Sequence, residues 1–151
     1  MANFIYTRAK RDIANADIDF NAPDDFRVLL LKTISDALAS RDDADLATVL
    51  ARGGMVELAD GSYARHSLAG DTVTQDDANN RAEIDWTDPV FSALAGGETI
   101  VGFIVFKFVA NDVGSTPIAF FDTDSAGAIS ITANGSAVTI QINAEGLLHI
   151  E

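Results

Sequence analysis

Thr99-Ile100-Val101-Gly102-Phe103-Ile104-Val105-Phe106-Lys107-Phe108-Val109-Ala110 is the strongest apolar run in the chain. Periodicity alone does not separate a buried strand from a core helix over such a run. Its composition does, because β-branched and aromatic side chains fit a pleated surface better than a helix, and the run reads as a central strand. Phe26 to Thr33 reads as a second strand, buried on much of both faces. Ala82 to Trp86 alternates Ile84 and Trp86 inward with Glu83 and Asp85 outward, the period of a half-buried strand. Pro89 breaks or edges that ladder before Val90 and Phe91 resume it. Met55 to Leu58 and Tyr63 to Leu68 flank the turn Asp60-Gly61, and Ile118 to Asp122 is another short strand. At the end of the chain, Ile129 to Ala133 and Ser136 to Asn143 flank Asn134-Gly135, a two-residue hairpin signal. A type I′ turn there sets Ala133 opposite Ser136, Ile131 opposite Val138 and Ile129 opposite Ile140.

Helical signals are fewer. Thr7 is placed to cap a short helix starting at Arg8, with Ala9, Ile13 and Ala16 on one face. Ala44 to Arg52 reads as a second, capped by Asp43 and closed by Gly53-Gly54, and Ile34 to Ser40 is ambiguous. Asn21 to Asp25 and the polar stretch Asp71 to Arg81 read as loops. Eight or nine strands at short spacing, with one or two short helices, describe a mainly β protein. The expectation is an antiparallel β-sandwich or jelly roll formed as one domain over residues 1–151, with a barrel as the related alternative.

The chain has 151 residues, 23 acidic against 10 basic side chains, and a net charge of −13. Such charge repels phosphate backbones, so no nucleic-acid partner is expected. It serves solubility or a salty environment, or docking onto a basic partner surface. No apolar run approaches the ~20 residues of a membrane helix, and no membrane association is expected. The basic residues near the N-terminus follow the short apolar stretch instead of preceding it, so no signal peptide is read there. Cysteine is absent, which removes disulfides and thiolate metal sites.

Residues able to run a reaction do not assemble into a motif. Asp122-Thr123-Asp124-Ser125-Ala126-Gly127 has the acids and glycine that open a calcium loop, but Ala126 and Ala133 stand where two oxygen ligands belong. An Asx turn between strands is the simpler reading. The pairs Asp42-Asp43 and Asp76-Asp77 read as solvated loops, with a divalent ion at a subunit contact as the alternative. His66 and His149 sit in no nucleophile motif, and Gly53-Gly54 and Gly96-Gly97 lack the lysine of a phosphate loop. Trp86 with Phe103, Phe106, Phe108, Phe120 and Phe121 suggests either a sugar-stacking platform or, more simply, core packing. No enzyme activity and no cofactor or metal is therefore expected. Arg8, Lys10 and Arg11 form the one clustered basic patch.

Phe4-Ile5-Tyr6-Thr7-Arg8-Ala9-Lys10, Ala16-Asp17-Ile18-Asp19-Phe20 and Phe26-Arg27-Val28-Leu29-Leu30-Leu31-Lys32-Thr33 follow one another closely. In this order they resemble a family of small tailed-bacteriophage virion proteins that open with a "YTxAK" segment, continue with "(D/E)IDx" and reach a strand of the type "IKVALLDT". Leu46 to Gly54, Ala82 to Phe91, the Gly96-Gly97-Glu98 lead into Ile100 to Lys107, and Thr132-Ala133-Asn134-Gly135 before a final strand are similar as well. The resemblance implies a non-enzymatic β-sandwich of the virion, assembled in the host cytoplasm. Its foremost role would be a capsid decoration (cement) protein, a homotrimer or homodimer on the major capsid protein, with a tail, collar or head-spike part that binds a host glycan as the alternative. Contacts to a neighbouring chain are expected from Arg8, Lys10 and Arg11, or from the 71–81 segment with Asp76 and Asp77.

Overall fold

The computed structural model describes residues 3–21 and 24–150. Ala22 and Pro23 of the loop expected over 21–25 lie outside them. The elements in chain order are β1 (Phe4–Ile5), α1 (Thr7–Ala14), β2 (Phe26–Thr33), α2 (Ala37–Ser40), α3 (Leu46–Ala51), β3 (Val56–Glu57), β4 (His66–Ser67), β5 (Thr72–Asp76) and β6 (Arg81–Asp85). There follow β7 (Val90–Phe91), β8 (Thr99–Ile100), β9 (Gly102–Val109), β10 (Asn111–Phe121), β11 (Thr123–Asp124), β12 (Gly127–Ala128), β13 (Ile131–Thr132), β14 (Val138–Thr139) and β15 (Leu148–Ile150). The protein is mainly β, with antiparallel sheets in a sandwich-like arrangement and three short helices instead of one or two.

The largest sheet runs β1-β10-β9-β2-β3, with β4 also on β2, and β9 lies at its centre as its composition requires. Phe26 to Leu31 of β2 pair with Lys107 to Gly102 of β9 without a break. Paired residues share a face, so Phe26, Val28 and Leu30 align with Lys107, Val105 and Phe103. On that face Phe26 packs against Phe20 and Trp86, which brings the loop after α1 and the end of β6 onto the sheet. Helices α1 and α3 pack on β10. A second sheet, β15-β6-β5, and three two-residue ladders complete the fold. One hydrophobic cluster joins Ile84, Trp86, Phe91 and Leu148 of the smaller sheets to the β2–β9–β10 interior.

The long apolar run is not one strand. It turns at Val101, so that Thr99-Ile100 pair with Thr132-Ile131 while Gly102 onward joins β2 and β10. Gly102 makes the turn possible: a Cβ there would stand 2.7 Å from the Phe121 carbonyl oxygen.

Several expectations are corrected. The closing hairpin does not form. Type I′ needs positive φ at both turn residues, and only Gly135 has it, at 87°. Gly135 N–H donates to the Leu94 carbonyl and Ala133 N–H to the Glu98 carbonyl, so the two flanks part. β13 joins β8 and β14 joins β7, and the Ile131–Val138 and Ile129–Ile140 pairings are absent. The 71–81 segment is a hairpin, β5–β6, whose strand β5 buries too little side chain to show an apolar period. β10 is 11 residues long, well beyond the expected Ile118–Asp122.

The caps also differ. Thr7 does not cap α1; Tyr6 occupies that position, and the Thr7 hydroxyl donates to Asp42 at 2.6 Å. Ala16 leaves the helical face, lying beyond the end of α1 with φ of 58°. Asp45, not Asp43, caps α3 by accepting the Thr48 N–H at 2.8 Å.

Replacing Gly102 with alanine forces its new methyl onto the Phe121 carbonyl. Overpacking of this kind costs about 1–3 kcal/mol, and a lowered denaturation midpoint with an unchanged m-value is the expected result.

Candidate interaction surfaces

The N-terminal basic cluster is brought together on α1, where two of its three members share one buried carboxylate. Arg8 donates to Asp12 at 2.7 Å across one helical turn, and Arg11 donates to its other oxygen at 2.8 and 2.5 Å. Burial alone would push the Asp12 carboxyl up, yet the hydrogen bonds from Arg8 and Arg11 outweigh it and hold it below the usual carboxylate range. Lys10 is exposed, and no described residue pairs with its ammonium. Asp12 offsets one of the two arginine charges, so Lys10 and the half-exposed Arg11 are the cations most open to a partner.

The acidic pair at the β5–β6 turn divides in the same way. Asp76 accepts from the Ala78 and Asn79 N–H groups at 3.1 Å each, from Asn79 Nδ2 at 2.6 Å and from Arg81 Nε at 3.1 Å. The Asn79 hydrogen bond is the foremost reason its carboxyl is held low. Asp77 is exposed and accepts only from Gln75. Asp76 builds the turn, and Asp77 faces outward. Arg81 also grips Glu83 and Glu145 at 2.8 and 2.9 Å, which ties β5, β6 and the segment before β15 together.

The other candidates resolve into structure. Asp124 accepts from the Ala126 and Gly127 N–H groups at 2.7 and 3.1 Å, the expected Asx turn, here at the head of the β11–β12 hairpin. Asp43 forms a two-pronged pair with Arg52 at 2.6 and 2.7 Å. Among the described residues no three His, Asp or Glu side chains stand together as a metal cage. His66 meets the Ser67 carbonyl and packs on Phe91; His149 meets the Glu145 carbonyl at 2.9 Å and Arg81 at 3.4 Å. Neither is hydrogen-bonded to a hydroxyl nucleophile among the described residues.

The aromatic residues do not form an exposed platform. Trp86 is 3% exposed and packs against the stacked pair Phe20 and Phe26, and Phe103, Phe106 and Phe120 are buried too. Phe103 stacks on Phe121 at 4.8 Å along one wall of a 440 Å³ groove, whose other wall carries Ile129, Ile140 and Leu147.

One polar network has no signature in the sequence. Arg65 donates to Glu57 at 2.8 and 2.7 Å and to Asp112 at 2.5 and 3.0 Å, with its guanidinium 5.4 Å above the Phe106 ring. Tyr63 donates to Glu57 at 2.9 Å and accepts the Leu30 N–H at 3.0 Å. Glu57, Tyr63 and Arg65 are near one another in the chain, whereas Asp112 joins them only where the β9–β10 turn meets Arg65. The pair of carboxylates raises the Arg65 pKa, and burial raises that of Tyr63. The hydrogen bonds from Arg65 hold Asp112 low.

Asp12, Asp76, Glu98 and Asp112 are all held below their ordinary values of 3.8 for Asp and 4.5 for Glu. A depressed carboxyl stabilises the fold above its unfolded value, and that stability is lost as pH falls through the folded value. The melting temperature is expected to be flat near neutrality and to fall from about pH 4.5 downward. Asp112→Asn should lower stability by about 1 kcal/mol after solvent screening and make the acid decline shallower, read by thermal melts across pH. No family model, no curated protein and no solved structure matches this chain.

Proposed function

We propose that this chain is a non-enzymatic structural protein of a bacteriophage virion, a decoration protein bound to the outer surface of the head shell. The observation that carries the reading is the ordered resemblance of the segments at Phe4–Lys10, Ala16–Phe20 and Phe26–Thr33. In the fold those segments supply β1, α1 and β2, which frame the central sheet, so the likeness falls on the scaffold that a virion family would share.

The chemistry of the surface supports the same role. Arg52, Arg65 and Arg81 are committed to ion pairs and both histidines meet backbone carbonyls, and none of the clusters described above pairs a base with a nucleophile. What faces outward is acidic side chain together with separate apolar residues, among them Leu38 at 62% exposure and Val113 at 72%. A shell protein holds on through many copies, since linked weak contacts gain avidity without a strong single site. Acidic character also keeps such a protein off DNA and suits basic loops of the major capsid protein. Burial of Trp86 weakens the case for a glycan-binding tail or spike role, which an exposed aromatic platform would favour. The expected state is a homotrimer or homodimer on the particle.

Quantitative mass spectrometry of purified particles tests this. A ratio near one copy per major capsid subunit is expected. A few copies per hundred would move the chain to the tail or spike, and none would end the virion reading.

A further inference from the structure

β5 is a sheet edge that lacks the usual protections. It pairs with β6 in unbroken register from Thr72 opposite Asp85 to Asp76 opposite Arg81, and no described strand lies on its other side. Thr72, Val73, Thr74 and Gln75 are exposed on both faces of the strand. A free edge presents a row of N–H and C=O groups ready to pair with another chain, and natural proteins blunt it with lysine, proline, bulges or shortness. Residues 72–75 contain no proline, no charge and no bulge. The remaining free edges are protected: β1, β3 and β4 have two residues each and β15 three, while the outer half of β10 carries Pro117 and shifts of register.

We propose that the outer edge of β5 accepts an extended segment bearing lysine or arginine, from a neighbouring virion protein, as an added strand. The partner's identity rests on the function proposed above; the edge and its chemistry do not. Charge selects the occupant. Asp71, Asp76, Asp77, Glu83 and Asp85 surround the strand, and the one base of the hairpin, Arg81, is already held by Asp76, Glu83 and Glu145. A second copy pairing antiparallel about Thr74 would bring Asp76 and the turn residue Asp77 beside Asp71 at both ends, and like charges gathered there oppose such a ladder. A basic strand meets the same carboxylates favourably. Main-chain hydrogen bonds then supply affinity, and the flanking charges supply selectivity and a salt dependence.

The test is hydrogen exchange on the isolated full chain with two synthetic peptides. One alternates lysine with valine and threonine; its twin carries glutamate in place of lysine. Val73→Pro and Thr74→Pro complete the set. Successive N–H groups point to opposite sides of a strand, so one variant loses a donor to β6 and the other a donor on the free edge. Thermal melts identify the latter as the better-folded of the two. The lysine peptide should slow exchange at alternate amides of 72–76, the glutamate peptide should not, and added salt should weaken the effect. The edge-blocked variant should bind about tenfold more weakly, the loss of a main-chain bond. Should both variants unfold, the contrast between peptides and the location of protection still decide the matter. Protection elsewhere, equal binding of both peptides, or protection of β5 that rises with the concentration of the chain alone would each overturn the proposal. Because no particle enters the measurement, its failure is distinct from absence of the chain from virions.

Discussion

β9 lies with β2 on one side and β10 on the other, and Gly102 through Phe106 are buried. Buried backbone N–H and C=O groups must be hydrogen-bonded, so those two neighbours are obligatory. Alternation cannot fix the register here, since a one-residue slip would exchange one apolar face for another. Two local anchors do so instead. Gly102 admits the Phe121 carbonyl at one end, where any side chain would collide. At the other end Lys107 reaches the Asp17 carbonyl at 2.7 Å and the Asp24 carboxylate at 2.8 Å. A slip would bury that ammonium without partners, which is far costlier than any gain in apolar contact.

The acid excess is organised around the few cations. Arg65, Arg52 and Arg81 each hold their carboxylates through several hydrogen bonds, and Lys32 holds Glu98, which also accepts the Ala59 N–H. The Lys32–Glu98, Arg65–Asp112 and Arg81–Glu145 contacts join segments that no strand pairing connects. Arg65 ties the segment around β4 to the β9–β10 hairpin, and Arg81 ties β5 and β6 to the chain before β15. Exposed pairs add little energy individually, but bidentate geometry over a ring gives these contacts orientation as well. Carboxylates left over from this pairing face solvent and set the character of the surface.

The central sheet was legible because β2 and β9 bury almost everything they carry, and long β-branched and aromatic runs leave few alternatives. Ile84 and Trp86 of the β6 region were legible for a related reason, since one buried face imposes a period of two. Asn134-Gly135 misled because a dipeptide reports the turn it permits, whereas the flanking residues found partners in β7 and β8 first. The interaction residues were only partly legible. Proximity in sequence located Arg8, Lys10 and Arg11 on one helix, but it could not show that Arg8 and Arg11 would share the Asp12 carboxylate. Nor could it join Asp112 to Glu57, Tyr63 and Arg65, which it meets only after the β9–β10 hairpin has folded back. β5 was hidden because a strand exposed on both faces carries no hydrophobic signal at all.

That hidden strand also raises the question of what keeps an open edge from pairing with other copies of the chain. Its residues 72–75 are neutral, so protection must come from what flanks them. Asp71 precedes the strand and Asp76 and Asp77 follow its neutral stretch, so a symmetric antiparallel copy brings acidic end to acidic end. Repulsion of this kind acts only against partners of like charge, unlike a proline or a bulge, which would close the edge to every chain. The edge is thus shut to other copies of this protein while its hydrogen-bonding groups remain available. Retaining those groups has a structural consequence: β5 can keep its full ladder to β6, because no device that blunts the outer side disturbs the inner one.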